Sequence, residues 1–339
     1  MKGIIVEKSR LPEFIDDLIG RYKVYAPVNK NGLTCFGEIR SSSDLSPIFP
    51  CKTSSKEVLF PKCEILFRYQ QDRGDVKLEE EAVEDETTVL FGLPPCEARG
   101  VALIEKAFTS GDFQDVNYLR RRENTLIIGK SCEDPLSTCF CTSVGGSPFG
   151  REGSDLVLQD LGGKYLLEAV SKKGEMFVDA FQGYDEATRA HVEEARRIAK
   201  IADSSLKLNV ELLGIDERLE GMFDNPLWDA VYKKCIGCGV CTYLCPTCYC
   251  FDIVDEPKGS GGVRVRIWDS CQFPSFTLQG SGENPRQTGK ERMRQRIMHK
   301  FNYYPKNFGT IACVGCGRCV RECPVNLDIR EILKRIMIE

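Results

Sequence analysis

Two cysteine runs constrain this 339-residue chain more than anything else in it. The first is Cys235, Cys238, Cys241 and Cys245 followed by Pro246, and the second is Cys313, Cys316, Cys319 and Cys323 followed by Pro324. C-x2-C-x2-C-x3-C-P is the bacterial ferredoxin spacing for a cubane [4Fe–4S] cluster, in which the fourth cysteine ligates the other cluster of a pair. That rule assigns Cys235, Cys238, Cys241 and Cys323 to one cluster, and Cys313, Cys316, Cys319 and Cys245 to the second. Gly237, Gly239, Gly315 and Gly317 stand between the thiols, where tight turns call for positive φ. Structural zinc normally takes two separated C-x2-C pairs, often with histidine. Here eight cysteines stand in ferredoxin order and the whole chain has only two histidines, His191 and His299. Cys241-x3-Cys245-x2-Cys248 also matches a radical-SAM spacing, but that reading leaves Cys235, Cys238 and the second run unexplained.

Eighteen cysteines without a secretory leader point to metal ligation in a reducing compartment rather than to disulfides. The first residues are too charged, and their apolar run too short, for a signal peptide. No stretch approaches membrane-spanning length, and the expectation is a cytoplasmic protein with no direct membrane insertion. A net charge of −4 gives no general attraction to nucleic acid.

Along the chain the pattern predicts an α/β N-terminal domain over 1–182, then a mainly helical two-cluster ferredoxin module over 183–339, α+β overall. Leu11–Ile19 reads as an amphipathic helix, and Lys23–Val28, Glu64–Tyr69, Thr88–Gly92 and Asn124–Gly129 as strands. The acidic run Glu79–Glu81 with Glu84, Asp85 and Glu86 reads as a solvated loop. Cys35, Cys51 and Cys63 read as small buried hydrophobes. Two of the strands lead into cysteines at their carboxyl ends, where open sheets place ligands. Cys96, Cys132, Cys139 and Cys141 therefore form a candidate third cluster set, with zinc or two buried thiols the alternatives for Cys139-Phe140-Cys141. Ser143–Gly150 is glycine-rich, lacks the dinucleotide fingerprint and reads as a wrap around the cysteine loop. The 78 residues from Cys235 to Cys313 exceed a compact ferredoxin's spacing and predict an insertion at about 252–288. Cys248, Cys250 and Cys271 border it, as further ligands or as neighbours tuning a cluster. The basic stretch Lys290–Phe301 reads as a solvated helix face or a docking surface for an acidic partner.

Taken together, Pro95-Cys96-Glu97-Ala98-Arg99, Arg122–Thr125, Cys139-Phe140-Cys141-Thr142-Ser143, Pro246–Asp252, Arg296–Phe301 and both runs make the chain resemble the iron–sulfur beta subunits of sulfhydrogenases, themselves similar to the A component of anaerobic sulfite reductase. The resemblance covers nearly the whole chain. It departs at Glu283, where the family often carries histidine. It implies a subunit relaying electrons between a flavin-bearing NAD(P)-linked partner and a separate, metal-containing catalytic subunit of hydrogenase or sulfur-compound-reductase type, with ferredoxin a further candidate partner. Two other classes fit the cysteines: a chain that itself reduces a sulfur substrate, and a redox-sensing iron–sulfur protein. The sequence shows no Ser-His-Asp arrangement, P-loop, Rossmann fingerprint or haem C-x-x-C-H, and no self-contained catalytic centre is recognised in it.

Overall fold

The computed structural model describes residues 2–46, 51–81, 86–205 and 210–339. Among them twelve strands form two sheets: β1 (Gly3–Glu7), β2 (Lys23–Lys30), β3 (Leu33–Ile39), β4 (Cys63–Asp72), β5 (Asp75–Glu80), β6 (Thr88–Leu93), β7 (Thr125–Lys130), β8 (Leu156–Asp160), β9 (Lys164–Ala169), β10 (Asp185–Glu186), β11 (Phe251–Lys258) and β12 (Gly261–Trp268). The chain divides into two units whose segments interleave. The first comprises Met1–Ser55, Asp85–Glu211 and Cys313–Gly317. The second comprises Lys56–Glu84, Leu212–Ala312 and Arg318–Glu339.

The first unit is built on an eight-stranded mixed sheet in the order β10-β1-β9-β8-β7-β6-β2-β3. Its centre, β2-β6-β7-β8, is parallel. Central parallel strands are buried on both faces and read as continuous apolar runs, as Val89-Leu90-Phe91 and Leu126-Ile127-Ile128 do. Val89, Phe91, Leu126 and Ile128 share one core with Phe14 and Leu18 of the helix Leu11–Ile19 and Phe177 of the helix Lys172–Ala180. The helix Pro95–Thr109 follows directly on β6, so parallel β6 and β7 present the residues after their carboxyl ends side by side.

The second unit does not bear out a mainly helical module. It carries a four-stranded antiparallel sheet, β11-β12-β4-β5. The expected insertion supplies the β11–β12 hairpin, and β4 pairs with β12 from Gly261↔Gln70 to Ile267↔Cys63. That ladder draws residues 56–84 into the second unit, whereas a single cut at 182/183 leaves them in the first. The fold is α+β. Glu79 and Glu80 lie exposed on β5 rather than in a loop; Glu84 and Asp85 fall outside the described residues. Cys51 is buried as expected, but Cys63 is exposed at the start of β4.

Candidate iron–sulfur centres

In the second unit the first run is a string of turns. Gly237 and Gly239 have φ of +68° and +73°, and a Cβ on Gly239 would meet the Phe273 ring at 2.8 Å. The Gly237 N–H donates to Cys235 Sγ at 3.4 Å, and the Leu327 N–H to Cys323 Sγ at 3.3 Å. Backbone donors to sulfur of this kind stabilise thiolate and are a lever on cluster potential. Cys235, Cys238, Cys241 and Cys323, the first expected ligand set, line one cavity together with Cys319, Met293, Ile297 and Arg296.

Burial pushes the Cys241 thiol up to about 11, against the pull of Arg296. Arg296 itself is buried, which lowers its pKa. The sulfurs of Cys241, Cys248, Cys319 and Cys245 outweigh that and raise it well above the ordinary value. Arg296 Nη1 lies 3.7 Å from Cys248 Sγ. One helical turn on, Lys300 Nζ donates to Cys245 Sγ at 3.5 Å, to Thr247 Oγ1 at 2.9 Å and to the Ala312 carbonyl at 2.9 Å. Lys56, also buried, donates to the Cys248 carbonyl at 2.7 Å and lies 4.1 Å from the centre of the Trp268 ring. A cubane held by four thiolates is net negative. Burial lowers the Lys56 pKa, whereas the sulfurs hold Arg296 charged, and a buried guanidinium is what such a negative group calls for.

The basic stretch therefore does something other than expected. Arg296 and Lys300 are 5% and 2% exposed and turned to the sulfurs. Their neighbours are also engaged within the unit: Lys290 pairs with Asp229, and Arg294 stacks on Phe223 at 3.6 Å. The signal in the sequence was the four-residue spacing of Arg296 and Lys300, which puts both on one helix face. Lys56 has no such signal, standing far from the runs in sequence. His299, between the two cations, donates to or accepts from the Tyr249 hydroxyl at 3.1 Å; burial holds its pKa down to about 4.

Cys248, Cys250 and Cys271 all lie among these groups. Cys245 and Cys248 act on each other, holding Cys245 well below and Cys248 well above the ordinary thiol range, and Cys271 pushes Cys250 up; Gln272 Nε2 donates to Cys271 Sγ at 3.5 Å. Cys250, with help from Arg296, brings Cys271 down to about 6.

In the first unit Cys96 opens the helix after β6, and Cys132 follows β7 by two residues. Cys141 lines a cavity with Cys96 and Arg99; Arg99 is held by Glu152 at 2.9 Å and by the Val144 carbonyl at 2.7 Å. Burial pushes Cys132 up to about 12, with Cys139 and Cys141 adding to the rise. The glycine-rich segment wraps this loop: Cys132 N–H donates to Pro148 O and Gly146 N–H to Cys141 O, each at 2.9 Å. Against the loop lies Cys313–Gly317, the start of the second run. Phe140 N–H donates to Gly315 O at 2.8 Å, and Cys139 Sγ is 3.9 Å from the Cys316 carbonyl oxygen. Gly315 has φ +63°, and a Cβ there would stand 2.5 Å from the Cys141 nitrogen. Gly315→Ala is expected to displace both strings of thiols, lowering iron per purified chain by at least a third; full iron would show that the contact is dispensable.

Among the described residues no three Cys, His, Asp or Glu side chains close round a point as a single ion needs.

The turns and thiols are of the kind that holds iron–sulfur clusters. Residues 234–327 match the family model described as 4Fe-4S dicluster domain. The chain is also 32% identical over 343 aligned positions to sulfhydrogenase 2 subunit beta of Pyrococcus furiosus, covering 99% of this chain and 98% of that protein. It belongs to the family of sulfhydrogenase beta subunits. No solved structure gives a significant match. Among the described residues no helix is long and apolar enough to cross a membrane.

Proposed function

We propose that this chain is the electron-relay subunit of a multi-subunit oxidoreductase, passing single electrons between a flavin- and NAD(P)-linked partner and a separate catalytic subunit of hydrogenase or sulfur-compound-reductase type. The observation that carries the proposal is the cavity where Cys235, Cys238, Cys241 and Cys323 meet, faced by the buried guanidinium of Arg296. The relative's name, a numbered enzyme's subunit beta, supports the existence of partner chains. A bound cubane supplies a reversible one-electron couple, whose potential follows from charge, burial and hydrogen bonds to sulfur. This chain's part is to hold thiolates, exclude water and set the local charge.

The second ligand set, Cys313, Cys316, Cys319 and Cys245, rests on the ferredoxin spacing. A third set, Cys96, Cys132, Cys139 and Cys141, is supported by its place after two parallel strands and by the mutual influence of its thiols. The test is iron and acid-labile sulfide per anaerobically purified chain, read with EPR of the reduced protein. About twelve irons are expected, falling to about eight in the Cys139→Ser/Cys141→Ser double variant. About eight at the outset would remove the third set, and none would remove the relay.

A further inference from the structure

We propose that the helix turn His299–Tyr303, together with Thr247, is a clamp that holds Cys245 ready for a cluster before iron arrives. This rests on the ligand sets given above, in which Cys245 is the thiol that the first run lends to the second set. Every residue of the clamp belongs to the second unit.

The clamp begins with a break in helix register. The helix Gly289–Met298 passes into a π turn over His299–Tyr303, in which the Tyr304 N–H donates to the His299 carbonyl, five residues back. The same register would offer the Lys300 carbonyl to Pro305, which has no N–H. A buried carbonyl needs a partner, and Lys300 finds it outside the helix: the Ala312 N–H donates to it at 2.9 Å. Pro305 thus frees a main-chain acceptor for the residue just before Cys313, where the second run opens. Turns of this kind inside helices are frequent at functional sites.

Ala312 is gripped at its other end as well. Its carbonyl accepts from Lys300 Nζ at 2.9 Å and from the Thr247 hydroxyl at 2.8 Å, and Lys300 Nζ donates to Thr247 Oγ1 at 2.9 Å. Cys245 Sγ sits on the same group, 3.5 Å from Lys300 Nζ and 3.2 Å from Thr247 Oγ1. Thr247, Lys300 and Ala312 are all buried, so bulk water does not compete for these bonds. A hydroxyl has one hydrogen and two lone pairs. Thr247 accepts from Lys300 and gives its hydrogen to the Ala312 carbonyl or to Cys245. The two side chains therefore fix the direction of the Cys245 sulfur against the backbone leading into the second run. All of these bonds lie within the chain itself, so the gathering does not wait for iron. Ordering a ligand beforehand removes that cost from the binding step.

The test uses full-length chain and the variants Thr247→Val, Thr247→Ser, Pro305→Ala and Cys245→Ala, purified without oxygen, freed of iron with a chelator and reconstituted with ferrous iron and sulfide. Samples frozen at intervals are read for iron per chain and, after reduction, by EPR. Cys245→Ala is expected to lose or alter one EPR component. In Thr247→Val that component should return about tenfold more slowly than in wild type, the scale set by ordering one long side chain. Pro305→Ala, which restores an N–H for the Lys300 carbonyl without touching a sulfur, should slow the same component. The other components should return at the wild-type rate in both, and Thr247→Ser, which keeps the hydroxyl, should follow wild type throughout. A wild-type rate in Thr247→Val or Pro305→Ala, equal slowing of every component, or a Thr247→Ser chain as slow as Thr247→Val overturns the clamp. Cys245→Ala with wild-type iron and an unchanged EPR spectrum would instead overturn the ligand sets on which the clamp rests.

Discussion

Arg296→Met is expected to yield protein that has lost most of the iron held by the two ferredoxin-type sets, while Arg296→Lys retains most of it. The guanidinium is 5% exposed and within electrostatic reach of Cys241, Cys245, Cys248 and Cys319, which come from both runs. Removing one partner of a buried charge group leaves the other uncompensated, at a cost of about 3–5 kcal/mol. Methionine keeps much of the volume, so the loss isolates charge from packing. The measurement is iron and sulfide per chain, with far-ultraviolet circular dichroism to check that secondary structure persists. Normal iron with an unaltered EPR spectrum would mean that the surrounding backbone alone balances the clusters' charge.

Lys300→Met should act more narrowly, on potential rather than on occupancy. Lys300 Nζ donates to Cys245 Sγ, the thiol proposed for the second set, and is held by Thr247 and the Ala312 carbonyl. A cation and donor on a ligand sulfur favours the reduced, more negative state of a cluster, so removing it moves the potential downward. Hydrogen bonds involving charged groups are worth about 1.5–3 kcal/mol. If roughly half of that differs between the two oxidation states, the one-electron potential falls by about 30–65 mV, at about 59 mV for each tenfold change. Redox titration followed by EPR reads this directly. A single component shifting down fits the assignment; an upward shift, or none, would place Cys245 outside the cluster.

The sequence carried the turns within each run because they are local: each glycine acts within a few residues of the thiols beside it. It also carried the parallel strands that end at Cys96 and Cys132, since buried strands announce themselves as apolar runs. What it concealed is non-local. Nothing around Lys56 signals that its ammonium reaches the Cys248 carbonyl, because the contact depends on the chain before β4 following that strand into the second sheet. The basic helix misled for a related reason. Charge along a helix normally marks a wet face, and only a knowledge of what packs against Arg296 and Lys300 reverses the inference. The hairpin in the expected insertion was legible as strand-like residues. Its pairing with β4 was not, because residues 63–72 and 261–268 share no pattern beyond apolar alternation.

The interleaving of the two units bears on how the protein is made. As the ribosome advances, β4 and β5 emerge early, yet the strand they need, β12, lies nearly two hundred residues further along the chain. The first unit likewise waits for Cys313–Gly317, about a hundred residues beyond the rest of it, to complete its contacts. Domains that are continuous in sequence fold in turn as they emerge; here neither half can. On the ligand sets proposed above, a cluster that draws thiols from both runs cannot be completed until the second run has emerged, so the thiols of the first run wait through the synthesis of the residues between them.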